Sequence, residues 1–413
     1  MSRQSKAAKL NILVFGLLWL FYNFAMFVLI HRQSVCYGGR YTSDILPYIA
    51  YMQGLEVKYD FPYPVMFLLG KFFSLFTTPE WGMTLSVTAL NSLTPLMLKY
   101  YMDDFFRQKG RPAYLFSTLC TFALLTVSML FLDLSAASIG WRYRGVFSPN
   151  PLHNATYLAT RPFTVICFFM AVRLLGEYET LPFESPGKAA REYGVFAFFL
   201  LLTTLTKPSF TFGFVTTMAL VLFVRTCLKK FRNFKATLLF SCCALPTFAA
   251  LLYQFRGVFT GTNIYGEENG IGIGFLTAWS TTGKSIPAAL FLGLFFPLVV
   301  FCCFFKQIRT DEEYRLSLEM LLVNLFMLVF LYEKGYRCAH INFAWGYMHG
   351  LFFSYLASLR LLLTATLQVL PAARTPECRK KLPFILLCWL AFLWHLVCGI
   401  VYLIPVFAGE IYL

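Results

Sequence analysis

Apolar runs long enough to cross a bilayer recur from one end of this chain to the other, separated by short polar connections. The hydrocarbon core of a membrane takes about twenty apolar residues in helical form, since backbone groups find no water there and must pair within the segment. That constraint removes soluble and open-sheet architectures. It predicts an all-α fold: a polytopic membrane helical bundle of about 11 transmembrane helices. We place them at 10–31, 81–104, 113–133, 157–175, 194–206, 209–227, 236–255, 287–305, 316–333, 346–368 and 382–404. Composition agrees, with 58% hydrophobic and only 13% charged residues, against about 25% charged in an ordinary soluble domain. The chain reads as a single integral membrane domain over 1–413 with no separate soluble domain. Its first apolar run is too long for a signal-peptide core, so a retained first span is expected.

Charge orients the bundle. About two-thirds of the 35 Lys and Arg fall in alternate connections, such as "RTCLKKFRNFK" (225–235) and "RTPECRKK" (374–381). By the positive-inside rule the N-terminus is cytoplasmic and the C-terminus extracytoplasmic. The net charge of +15 is therefore a topology signal and a match to anionic membrane lipids, and no nucleic-acid partner is expected. Of twelve Cys, only Cys36 and Cys338 fall in outer segments. A bridge between them is open, and two free thiols are the expectation. Trp81, Trp141, Trp279, Trp345 and Trp394 are expected in the outer aromatic belt.

The outer connections are the longer and richer ones: 32–80, 134–156, 256–286 and 334–345. Loops of that kind carry function more often than short turns do. The first contains two surface helices, near 43–60 and 61–76, the second too short for a comfortable span. Asp44, in "YTSDILPY", reads either as a helix-start acid or as a general base held at the membrane surface. "SPNPLHNATYLATRPF" (148–163) places His153, Asn154 and Arg161 between two apolar runs, with Arg142 and Arg144 just before it. Ionisable groups at such depth are functional candidates by default. "NAT" at 154–156 also matches a glycosylation sequon, too near the membrane to be used. Lys207-Pro208 breaks a long apolar run into two short spans, and breaks of this kind line polar cavities. "EKGYRCAHINFAWGYMHG" (333–350) adds Arg337, His340, Asn342 and Trp345, without metal-ligand spacing. "GIGIG" (270–274) and "TTGKS" (281–285) lack the context of nucleotide loops, because Ala278 stands where a phosphate loop needs Gly. Both read as flexible outer-loop glycine.

The order of these features resembles the GT-C superfold of membrane glycosyltransferases, above all its bacterial polysaccharide-associated members. The likeness covers most of the chain by architecture and rests on "SDILPYI", "YDFPYPVMFLLGKFF", "SPNPLHNATYLATRPF", "TKPSF" and "GYRCAHINFAWGY". It implies an inverting glycosyltransferase of the bacterial inner or plasma membrane. The donor would be a polyprenyl-phosphate-linked sugar, and the acceptor a glycan or lipid-linked glycan outside the cytoplasm. Asp44 would be the catalytic base. Arg142, Arg144, His153, Asn154, Arg161, Lys207, Arg337, His340, Asn342 and Trp345 would bind donor phosphate and sugar. Many relatives carry a paired acid in the first loop, whereas Asp44 is followed by Ile45-Leu46-Pro47-Tyr48. A divalent cation is therefore left open, and no metal ligand is assigned. Two other readings stand beside this one: an extracytoplasmic polysaccharide polymerase, and a transporter or flippase of lipid-linked sugars.

Overall fold

The computed structural model describes residues 3–57, 60–108, 114–130, 145–259, 266–369 and 375–409. The chain is a polytopic helical membrane protein. Among the described residues, seven helices are long and apolar enough to cross a membrane: Ala8–Val35, Ala155–Glu177, Pro208–Leu228, Phe234–Phe259, Ile286–Ile308, Gly335–Val369 and Cys378–Ala408. The other expected segments also fall on helices, but these are shorter or carry several charges. Two compact units form, one from 1–125 and 152–270, the other from 126–151 and 271–413.

The first unit contains α1 (Arg3–Val35), α2 (Ile45–Met52), α3 (Pro64–Ser74), α4 (Pro79–Gln108), α5 (Tyr114–Thr126), α6 (Ala155–Glu177), α7 (Leu181–Glu184), α8 (Pro186–Thr206), α9 (Pro208–Leu228), α10 (Phe234–Ser241) and α11 (Leu245–Phe259). The two short helices of the first loop form as expected. α2 buries Ile45, Tyr48, Ile49 and Met52, the spacing of one helical face. α3 opens on a proline, packs along α4, and turns Leu68 and Phe72 outward. An element apolar on both faces needs lipid or protein on each side. α8 runs back to Pro186, so the segment before Lys207 is a full-length helix rather than a short span.

The second unit contains α12 (Thr277–Ser280), α13 (Ile286–Ile308), α14 (Glu312–Phe330), α15 (Ala344–Val369) and α16 (Pro376–Ala408). Of the expected span at 113–133 the described part is helical to Thr126, and 127–130 is non-helical and buried. Non-helical backbone at membrane depth persists only where protein satisfies its polar groups, and distant residues supply the partners here. Ser128 N–H donates to the His395 carbonyl (3.2 Å), and the Ser128 carbonyl accepts from His395 Nδ1 (2.7 Å). Asn150 Nδ2 donates to the Val127 carbonyl (2.8 Å), and Leu130 N–H to the Leu292 carbonyl (2.8 Å).

Proline explains why α13 has acceptors to spare. Pro297 has no N–H for the Gly293 carbonyl, which accepts from the Tyr355 hydroxyl at 2.8 Å. Phe296 N–H turns to His395 Nε2 (3.3 Å), leaving Leu292 for the non-helical segment. The carbonyl on Nδ1 and the amide on Nε2 fix the His395 tautomer with its proton on Nδ1.

Gly399 makes room for this segment. A Cβ there would run into the Thr126 carbonyl oxygen, and the obstacle is backbone that cannot swing aside. Gly399→Ala is therefore expected to destabilise the protein by about 3 kcal/mol or more, as overpacked cores do. Thermal unfolding in detergent measures it.

Residues 145–151, read as part of an outer loop, are buried throughout. Two expectations are corrected in this unit. "GIGIG" is not flexible loop: Ile271–Ile273 pairs antiparallel with Leu331–Glu333, and a Cβ on Gly272 would run into the Tyr332 ring. Trp279 is not in an aromatic belt. It is fully buried, and its indole N–H donates to the Gly145 carbonyl at 2.9 Å. Cys36 and Cys338 are free thiols.

Candidate functional site

The break before Pro208 begins the site. Pro208 has no N–H to give the Thr204 carbonyl, four residues back. The side-chain amide of Gln254, from α11, donates there instead at 2.9 Å. Lys207 between the two helices is extended (φ −163°, ψ 118°), and its own side chain does not cap α9. The backbone turn sends the Lys207 side chain inward, where it is 7% exposed.

A buried ammonium is costly unless its donors are met. Lys207 Nζ donates to Thr156 Oγ1 at 2.9 Å and to Asn154 Oδ1 at 3.1 Å. Asn154 is the N-cap of α6, its Oδ1 accepting from Tyr157 N–H at 2.8 Å and from the Thr156 hydroxyl at 2.8 Å. With these donors converging on Oδ1, the amide has one orientation. Its Nδ2 faces α2 and donates to Asp44 Oδ2 and, at 3.3 Å, to the Tyr48 hydroxyl. Tyr48 also reaches Thr156 (3.4 Å).

Asp44 stands at the N-cap position of α2 yet makes no side-chain cap bond. Ser43 Oγ accepts from Ile45 N–H instead, at 3.3 Å. The backbone N–H of Asp44 donates to the His153 carbonyl (3.3 Å), fastening the first loop to the start of α6. The half-buried carboxylate is thus held by Asn154, and that same amide holds Lys207 through its other end. Carboxylate and ammonium, far apart in the chain, are joined by one side chain.

The neighbouring candidates fall into place around this triad. His153 is partly exposed, but the protein packed around its ring lowers its pKa from 6.5 to about 4. Lys207 adds to the shift, while Asp44 opposes it. The folded ring is neutral, so the unfolded chain binds the extra proton between those two values. Stability linked to His153 should be complete above pH 6.5 and be lost as pH falls toward about 4. Unfolding midpoints across that range, with His153→Gln as the flattened control, check this. Arg161, 1% exposed, lies further along α6 with its guanidinium 5.3 Å from the centre of the Tyr157 ring. The glycosylation sequon is closed, since Asn154 is 1% exposed and its amide is engaged.

The remaining candidates belong to the second unit and are organised by a residue the sequence reading missed. Glu333 accepts from Arg337 Nε (2.7 Å) and Nη2 (3.2 Å) and from Asn342 Nδ2 (2.6 Å). The four-residue spacing of Glu333 and Arg337 was the available signal. His340 is exposed, its ring edge-on to Tyr336 at 5.5 Å. Trp345 donates its backbone N–H to the Asn342 carbonyl (3.2 Å). Arg142 and Arg144 lie outside the described residues. Tyr48 and Thr156 were the other omissions, neutral hydroxyls whose value lies in contacts rather than in charge. Among the described residues no three His, Cys, Asp or Glu side chains gather as metal ligands would.

Comparison with family models, with curated proteins and with solved structures finds no match for this chain.

Proposed function

We propose that this protein is a membrane glycosyltransferase of the GT-C type, moving a sugar from a polyprenyl-phosphate donor to a glycan or lipid-linked acceptor. In this reading the transfer takes place on the extracytoplasmic face, with the N-terminus cytoplasmic and the C-terminus outside. The observation that carries it is the shared amide of Asn154, which holds the Asp44 carboxylate at one end and the Lys207 ammonium at the other.

The chemistry asks for those two groups. An acceptor hydroxyl is a weak nucleophile, and a carboxylate within hydrogen-bond reach takes its proton as the new bond forms. Asp44 would receive that proton while the hydroxyl oxygen attacks the anomeric carbon. The bond from that carbon to the phosphate oxygen breaks, and polyprenyl phosphate leaves with the electron pair. One displacement inverts the anomeric centre. The negative charge growing on the leaving phosphate needs a preorganised cation. Lys207 supplies it at the start of α9, where backbone N–H groups also favour anions.

The test is made in the native host. Lipid-linked and cell-surface glycans are compared by mass spectrometry in cells lacking the protein and in cells complemented with it. A sugar missing without the protein and restored with it supports the reading, and unchanged glycans sink it. The transporter reading draws on one observation, the break at Lys207-Pro208, since discontinuous helices also build midplane substrate sites.

A further inference from the structure

A groove opens between the last turns of α13 and the first turns of α14. Its cause is local: Phe304 (φ −124°, ψ 24°) leaves helical geometry and kinks α13 near its end. The resulting cavity, of about 380 Å³, is lined by Phe301, Phe305 and Leu318 on its apolar side and by Arg309, Arg315 and Glu319 on its polar side. Arg309 is exposed. Arg315 faces Glu312 at 4.0 Å and Glu319 at 3.9 Å, both longer than a hydrogen bond, so neither carboxylate takes its N–H donors.

Apolar floor and cationic rim together describe one kind of occupant. Aromatic and aliphatic side chains suit acyl chain, and two guanidiniums at the polar end suit a phosphate, which Arg binds in a planar fork. Basic pockets between membrane helices take anionic headgroups in this way. The volume fits a headgroup with the first part of a chain. One carboxylate, Glu319, stands on the rim against two guanidiniums, so the polar side carries a net positive charge. We propose that this groove binds one anionic phospholipid, its phosphate on Arg309 and Arg315 and its chain along Phe301 and Phe305. The proposal is independent of the glycosyl-transfer reading.

The probe is phosphatidylglycerol. Full-length protein is taken from bilayers of phosphatidylcholine with phosphatidylglycerol, and retained lipid is counted by native mass spectrometry. Wild type should keep one phosphatidylglycerol in preference to phosphatidylcholine. R309Q/R315Q should bind it about thirty-fold more weakly, the effect of two surface cations on an anionic lipid. L318W, which fills the groove and keeps both arginines, should lose it as well. Excess inorganic phosphate should not displace the bound lipid. Equal retention of the two lipids, retention unchanged in either variant, or displacement by phosphate would each overturn the proposal.

Discussion

Replacing Asp44 with asparagine is expected to slow sugar transfer by about 100- to 10,000-fold, the contribution of a positioned general base. The fold should survive the change. Asp44 does not cap α2, where Ser43 takes the Ile45 N–H, so the helix loses no cap bond with the charge. The carbonyl oxygen of the substituted side chain still accepts from Asn154, and the backbone bond from residue 44 to the His153 carbonyl is untouched. The new amide lacks only the capacity to take a proton at neutral pH. Transfer rates of purified wild type and D44N, beside their unfolding midpoints, separate the two contributions. Equal loss of stability and rate would make Asp44 a structural tie.

Lys207→Met should cost about 100- to 1,000-fold, the penalty of deleting one preorganised group that meets developing charge. Methionine follows the lysine stem and removes the ammonium alone. Asn154 Oδ1 keeps Tyr157 N–H and the Thr156 hydroxyl as donors, so the amide still faces Asp44. The extended backbone at 207 is set by Pro208, and the Thr204 carbonyl that the break leaves over is met by Gln254, neither of which the substitution touches. The loss should fall on kcat more than on KM, because the charge grows as the sugar leaves. A change confined to KM would assign Lys207 to ground-state binding only.

Much of this architecture was legible in the sequence because the membrane leaves few choices. Apolar length gave the helices, and a Lys-Pro pair inside an apolar run marked the break that α8 and α9 make. The chemistry-bearing residues of the triad were also legible as residues. Their convergence was not, since Asp44 and Lys207 stand 110 and 53 positions from Asn154. Charge and proximity to the membrane grouped Arg337, His340 and Asn342 with them, yet Arg337 and Asn342 answer to Glu333, an acid that drew no notice in a basic loop. The non-helical run at 127–130 gave no local sign, because "VSML" suits a helix equally well. What holds it is distant: His395 is 267 residues from Ser128, and the Leu292 carbonyl that takes the Leu130 N–H lies on α13. Gly272 and Trp279 were misread for the same reason, their partners Tyr332 and Gly145 being visible only in three dimensions.

The most direct measurement counts the lipid product. Purified protein is placed in liposomes made from its host's lipid extract together with the host's glycan acceptors, and polyprenyl species are quantified by mass spectrometry. Glycosyl transfer predicts free polyprenyl monophosphate rising mole for mole with glycosylated acceptor, and neither rising with D44N. Polyprenyl diphosphate as the product would point to a polymerase. A donor pool that crosses the bilayer chemically unchanged would make the protein a transporter and contradict the account.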